Sequence, residues 1–230
     1  MKTLIMPDTD VTFRPNSMDF HTYANVLMNN EYHLPDRFKK DDIIFDVGAN
    51  IGFFALACLA RGAGFVECWE ADPDNFRYLA RNLKLYQRFS KQYRGIVLHK
   101  EMAVDFCSEN KFHTSGHRVN FDTAGDLHRT TPGRRKSIPI DRILPNEPFR
   151  LLKMDIEGSE WPILYESKNL VHAKEILVEC HQTLPYKGYK CTFPCAIERL
   201  EQLRFKVEAW RESEQSVANM LIKATNRRRL

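Results

Sequence analysis

The chain has 230 residues, of which 43% are hydrophobic and 28% charged, a composition that excludes disordered and collagen-like classes and suits one globular domain or a tightly fused pair. A chain of this length buries roughly 70% or more of its unfolded surface, so it needs no disulfide or metal staple. Lys and Arg number 34 against 30 Asp and Glu, and the formal +4 is too evenly scattered to imply a polyanionic partner by itself.

In chain order, residues 1–41 are mixed in pattern and are expected to form an N-terminal helical cap. From Ile43 onward short apolar runs alternate with helical patterns: a strand at Ile43–Val47, a helix from about Ile51 to Arg61, a strand at Phe65–Glu70 and a helix from Pro73 to about Gln87. Strand-like runs continue at Gly95–His99, Arg150–Met154 and Glu175–Glu179, with a helix at Ser159–Glu166 between the last two. Short apolar strands joined by helical crossovers mean a mostly parallel sheet covered on both faces. The tail departs from that order. A helix at about Phe193–Leu203 precedes Phe205–Trp210 and Asn219–Lys223, which read as a terminal antiparallel hairpin. Residues 104–140, rich in Gly, Thr, His and Arg, read as a variable insertion over one edge of the sheet, and residues 226–230 as a basic tail. The whole of 1–230 is expected to be a single domain.

Six cysteines show no paired C-x-x-C spacing, and no apolar leader or N-x-S/T sequon is present, which leads us to expect a reduced, cytoplasmic protein. No apolar stretch approaches the ~20 residues of a membrane span. His113 and His117 could pair only in a loop, because Ser115-Gly116 opposes a helix, and Cys191 and Cys195 read as ordinary thiols.

At the end of the first strand stands Asp46-Val-Gly48-Ala49-Asn50-Ile-Gly52, and 22 residues beyond Gly48 the second strand ends in Glu70. Glycines there permit a tight strand-to-helix turn and close approach of a ligand, and a carboxylate about 20 residues on can take both hydroxyls of a ribose. The spacing lacks the glycine that opens a dinucleotide loop to a pyrophosphate. Asp46 adds a negative charge. A cationic, phosphate-free cofactor, S-adenosylmethionine, accounts for both facts better than a nicotinamide dinucleotide.

The segments Asp46–Gly52, Trp69-Glu-Ala-Asp-Pro-Asp-Asn-Phe76, Leu151-Leu-Lys-Met-Asp-Ile-Glu-Gly-Ser-Glu160 and Leu177-Val-Glu-Cys-His181 resemble, in words, order and spacing, the FkbM-type methyltransferases. Weaker likeness extends upstream through Arg14, Asp19 and Glu31-Tyr32. The resemblance implies an α/β, Rossmann-like class I methyltransferase fold, with a seven-stranded, mostly parallel sheet of order 3-2-1-4-5-7-6, one antiparallel strand and helices on both faces. It also implies methyl transfer from S-adenosylmethionine, usually to oxygen. By position, Asp46, Gly48, Ala49, Asn50 and Gly52 would surround the methionine moiety, Glu70 would bind the ribose with help from Asp72, and Met102 and Ala103 would form the adenine wall. Ala71 stands where a proline is common, and residues 107–136 align with nothing in the family.

At the carboxyl ends of the fourth and fifth long strands, Lys153, Asp155 and Glu157 alternate at strand period, as do Glu179 and His181. This is the edge where open α/β sheets bind ligands. A neutral alcohol is a poor nucleophile, so a group within hydrogen-bond reach must take its proton. His181 is the preferred base, from its unperturbed pKa of about 6.5, and Asp155 would orient the acceptor or the cofactor ammonium. An oxygen-rich Mg²⁺ site from Asp155, Glu157 and Glu179 remains an alternative, though not the favoured one. The expected activity is O-methylation of a small molecule or glycan, without nucleic-acid binding or a membrane span. Methylation of nucleic acid or protein, and a non-catalytic cofactor-binding module, are the competing readings. Base N-methylation is disfavoured because Asp155-Ile-Glu-Gly158 lacks the Pro-Pro-aromatic motif that stacks on a flipped base.

Overall fold

The first strand, β1 (Ile43–Val47), shows why the chain builds a two-sided sheet: Ile44 packs into one apolar cluster while Phe45 and Val47 pack into another on the opposite face. The computed structural model describes residues 11–89, 95–99, 102–103, 137–211 and 219–227. Before β1 come a short helix, α1 (Asp19–Tyr23), and a π-helical turn (Ala24–Met28). After it follow α2 (Phe53–Ala60), β2 (Phe65–Trp69), α3 (Pro73–Phe89), β3 (Gly95–His99), β4 (Met102–Ala103), β5 (Ser137–Ile138), β6 (Phe149–Met154), α4 (Glu160–Glu166), β7 (Ala173–His181), α5 (Phe193–Gln202), β8 (Phe205–Trp210) and β9 (Asn219–Asn226).

Seven strands form one sheet in the order β3-β2-β1-β6-β7-β9-β8, with β9 antiparallel to both neighbours and the other pairings parallel. Leaving aside the small β4–β5 pair, this is the expected 3-2-1-4-5-7-6 order with one antiparallel strand. Alternation continues across the sheet. Leu151 and Leu177 join Ile44 on the α2 face, while Leu152, Met154, Ile176 and Val178 join Phe45 on the other.

The order reverses between β1 and β6, and there the loop after β1 emerges at the sheet's carboxyl edge, the place where such folds bind ligands. Asn82 of α3 braces that loop: its Nδ2 donates to the Ile51 carbonyl (2.9 Å) and its Oδ1 accepts the Thr12 amide (2.8 Å). Arg14 donates to buried Asp19 and to Asn75 of α3, so the two upstream family positions pair with each other and tie the N-terminal segment to the sheet's helical cover. Trp210 and Lys223 donate to the carbonyls of Glu31 and His33, closing the same segment against the terminal hairpin.

Most expected boundaries agree with the structure to within two residues, but β9 runs three residues past its expected end, to Asn226, where Thr225 and Asn226 pair with Lys206 and Phe205 of β8. The expected insertion also ends early: Ile140 is fully buried in the core, so its last residues belong to the body of the fold. Residues 104–136, including Cys107, His113 and His117, and the tail beyond Arg227 lie outside the described residues.

Candidate active site

The turn after β1 is built on backbone conformations that few side chains allow. Gly48, Asn50 and Gly52 all have positive φ (80°, 50° and 98°), and a Cβ on Gly48 would lie 1.8 Å from the Asp155 carbonyl oxygen. The amides of Gly48 and Ala49 both donate to the Trp69 carbonyl, folding the loop over the end of β2. There the Glu70 carboxylate accepts the Asn50 amide at Oε2 (2.8 Å) and the Asp72 amide at Oε1 (2.6 Å). Glu70 thus joins the loop after β1 to the end of β2. Burial raises its pKa to about 7 despite those two donors.

Asp72 also caps a helix. Its Oδ1 accepts the amides of Asp74 and Asn75, capping α3 with Pro73 at the first helical position. The backbone of Met102–Ala103 pairs in parallel with Ser137–Ile138, forming a separate two-stranded sheet. Asp46 is fully buried, and neither of its oxygens has a hydrogen-bond partner among the described residues, although Lys153 Nζ stands 3.5 Å from Oδ1. Burial pushes the Asp46 pKa up while Lys153 pulls it back.

Lys153 is enclosed as well. It donates to the Gly48 carbonyl (2.7 Å), lies 3.7 Å from Asp155 Oδ2 and sits over the Phe54 ring. Burial alone would lower its pKa, but Asp46 and Asp155 outweigh that and hold it charged. The lysine ties β1, its loop and β6 together.

Lys153 and Asp155 follow strand alternation, but Glu157 does not. The strand stops at Met154, and Glu157 (φ 54°) and Gly158 (φ 96°) make a left-handed turn that carries the Glu157 side chain to the end of β7. There Glu157 Oε2 stands 3.6 Å from His181 Nε2, and Glu179 Oε1 stands 3.9 Å from the same atom. Glu179 also accepts a hydrogen bond from Asn219 of β9. On the other side of the ring, His181 Nδ1 donates to Oε1 of Glu160 (3.2 Å), a residue outside the expected site.

Burial alone would lower the His181 pKa, but the hydrogen bond and charge of Glu160, with Asp155 and Glu157, raise it to about 10. Glu157 is pushed up to about 7, by desolvation first and then by Asp155. Ligand atoms of Asp155, Glu157 and His181 lie within 4.8 Å of one another, a spacing that would admit a metal ion. A ring that keeps both protons has no lone pair to offer one. This trio differs from the expected carboxylate set, because His181 stands where Glu179 was expected.

Glu160 was hidden in the sequence because it opens a helix, out of step with both strands. Its place in the Asp155–Glu160 motif was the available signal. Tyr32 and Trp161 are buried in the core, where Tyr32 meets Phe54 edge-on and Trp161 donates to the His181 carbonyl. Cys191 and Cys195 are free thiols. No helix among the described residues is long and apolar enough to cross a membrane.

Among solved structures, the chain is similar to an rRNA methylase from Streptococcus thermophilus (11% identity, 87% of this chain and 95% of that one, TM-score 0.49). It is also similar to M. jannaschii TYW2 in complex with AdoMet (12% identity, 94% and 77%, TM-score 0.48). A further match is a longer protein from Pyrococcus horikoshii, of which it covers 64% (14% identity, 94% of this chain, TM-score 0.46). At these identities and scores, none of the three bears on substrate or chemistry. No curated protein matches the chain significantly. The methyltransferase FkbM domain model matches residues 46–212, a span that runs from Asp46 in β1 through the glycine loop, Glu70 and the Glu157–His181 cluster. The chain therefore belongs to the FkbM methyltransferase family.

Proposed function

We propose that the protein transfers a methyl group from S-adenosylmethionine to a hydroxyl oxygen of a small molecule or glycan, with Glu157 taking the acceptor's proton. The carrying observation is the meeting of Glu157 and His181 at 3.6 Å, with pKa values raised to about 7 and about 10. Two neighbouring titratable groups held at different pKa values divide the acid and base roles between them. Sequence reasoning favoured His181 as base on its ordinary pKa. The Glu160 contact removes that ground, because a ring charged at neutral pH cannot accept a proton. Glu157, half-exposed and ionising near neutrality, takes the role instead.

When bound, S-adenosylmethionine supplies an electrophilic methyl group on a sulfonium. Glu70, fixed by the Asn50 and Asp72 amides, would hold the ribose hydroxyls, and the loop of Gly48, Ala49, Asn50 and Gly52 would accommodate the methionine moiety. Asp46 would add a negative potential behind the loop. Asp155, paired with Lys153 and next to Glu157, would orient the ammonium or the acceptor. Met102 and Ala103 are retained as the adenine wall. Lys153 serves as a brace, since its ammonium is committed to Gly48, Asp46 and Asp155. Glu179 and His181 form the wall behind Glu157. Positioning and a single base are what an in-line displacement requires of the protein.

The test is incubation with S-adenosylmethionine carrying a ¹³C-labelled methyl group and a panel of hydroxylated metabolites, oligosaccharides, peptides and RNA. An O-methyl carbon on a small molecule or glycan is the expected product. Label found only on nitrogen, protein or RNA would overturn the acceptor assignment.

A further inference from the structure

We propose that Glu160 is a positioning residue, which grips His181 through Nδ1 so that the ring turns its Nε2–H edge toward the Glu157 and Glu179 carboxylates. The inference rests on the reading of Glu157 as the base, and it extends that reading to a residue that touches no reactant.

The geometry at Glu160 is that of a clamp. Its Oε1 accepts two donors, the Ile156 amide (3.0 Å) from the turn that carries Glu157 and His181 Nδ1 (3.2 Å) from the end of β7. One oxygen therefore ties the base-bearing turn to the imidazole that faces the base. The carboxylate is fully buried (0% exposed), and its Oε2 has no hydrogen-bond partner among the described residues. A neutral amide could accept the Ile156 donor without the cost of burying a charge. A carboxylate is favoured there only if a cation stands opposite, and His181, 17% exposed, is that cation.

The histidine is also fixed from behind, since the indole of Trp161, the next residue in α4, donates to the His181 carbonyl (2.7 Å). The charged groups facing the ring are Glu160 from α4, Glu157 and Asp155 from the turn after β6, and Glu179 from its own strand. Removing Glu160 withdraws the only one of these that lies on the Nδ1 side among the described residues. The ring would then lose its fixed orientation and much of its hold on the second proton. The potential at Glu157 would change with it.

Nitrogen-15 labelling of histidine, with long-range proton–nitrogen correlation spectra from pH 6 to 10, reads the ring directly. The His181 signals are assigned by their loss in His181→Gln. In the wild type both ring nitrogens are expected to stay protonated beyond pH 8. In Glu160→Gln the titration should move at least 100-fold toward acid, and Glu160→Asp should fall between the two. A purely structural carboxylate would not move this signal. A neutral wild-type ring at pH 7, or an unshifted titration in Glu160→Gln, overturns the proposal. If Glu160→Gln fails to fold, an unshifted Glu160→Asp does so. Calorimetry with S-adenosylmethionine on the same wild-type sample separates the two readings. Cofactor binding with an unmoved His181 rejects the clamp alone, whereas a shifted His181 without cofactor binding rejects the proposed activity alone.

Discussion

Gly48 and Asp155 meet backbone to backbone, so closely that a Cβ at position 48 would fall 1.8 Å from the Asp155 carbonyl oxygen. The glycine loop after β1 and the strand end that carries the acid cluster are thereby held in one fixed relation. The positive φ of Gly48 adds a second demand that alanine meets poorly. Gly48→Ala should cost more than about 2 kcal/mol of stability, or roughly 4–8 °C in melting temperature for a chain of this size. Thermal unfolding followed by circular dichroism measures it, and an unchanged melting temperature would contradict the contact.

Glu70 and Asp72 are expected to cooperate at the ribose, and their backbone partners differ. Glu70→Ala removes the carboxylate that binds the Asn50 and Asp72 amides, and it should weaken S-adenosylmethionine binding by about 1.5–3 kcal/mol. Asp72→Ala removes the cap of α3 and should cost about 1 kcal/mol of stability with a smaller effect on affinity. Titration calorimetry and thermal melts on both variants decide. The reverse pattern would assign the ribose to Asp72.

Replacing Glu157 by Gln should lower turnover by about 100-fold or more while leaving cofactor affinity nearly unchanged. Chelation by EDTA should leave turnover intact, because Glu157 takes the acceptor's proton without a metal. Activity lost with EDTA and restored by Mg²⁺ would overturn the base assignment in favour of metal activation.

The His181 pKa stands at about 10 in the folded chain, above its unfolded value of about 6.5. The ring's contribution to stability is therefore fully present below about pH 6.5 and is lost as pH rises through about 10. Glu157, also raised, contributes a separate fall between about pH 4.5 and 7. The melting-temperature gap between the wild type and His181→Gln should narrow as pH is raised from 7 to 10. A gap that stays constant would show that the folded-state proton is not on His181.

Tight nucleic-acid binding is not expected, since basic residues are dispersed among nearly as many acids and the dense basic runs, Arg134-Arg-Lys136 and Arg227-Arg-Arg229, are only three residues long. Anisotropy titration with RNA near physiological salt should give only weak binding that fades with salt and with removal of residues 226–230. Sub-micromolar binding that survives the truncation would favour an RNA acceptor.

The parallel strands were legible in the sequence because a sheet covered on both faces requires short apolar runs: Ile43–Val47 and Gly95–His99 have the bounds their patterns predict. The glycine loop was legible for a similar reason, since a tight turn under a close backbone neighbour admits few side chains. Both are local demands, written where they act. What each acid and base does is decided elsewhere. Lys153 is a brace because β1 brings Asp46 beside it, and Glu157 reaches His181 because a left-handed turn breaks the strand's alternation. The His181 pKa is raised because a carboxylate 21 residues away in sequence is buried against its Nδ1. A protonation state is set by the field of all neighbouring groups, and that field exists only once separate strands and helices have been packed together.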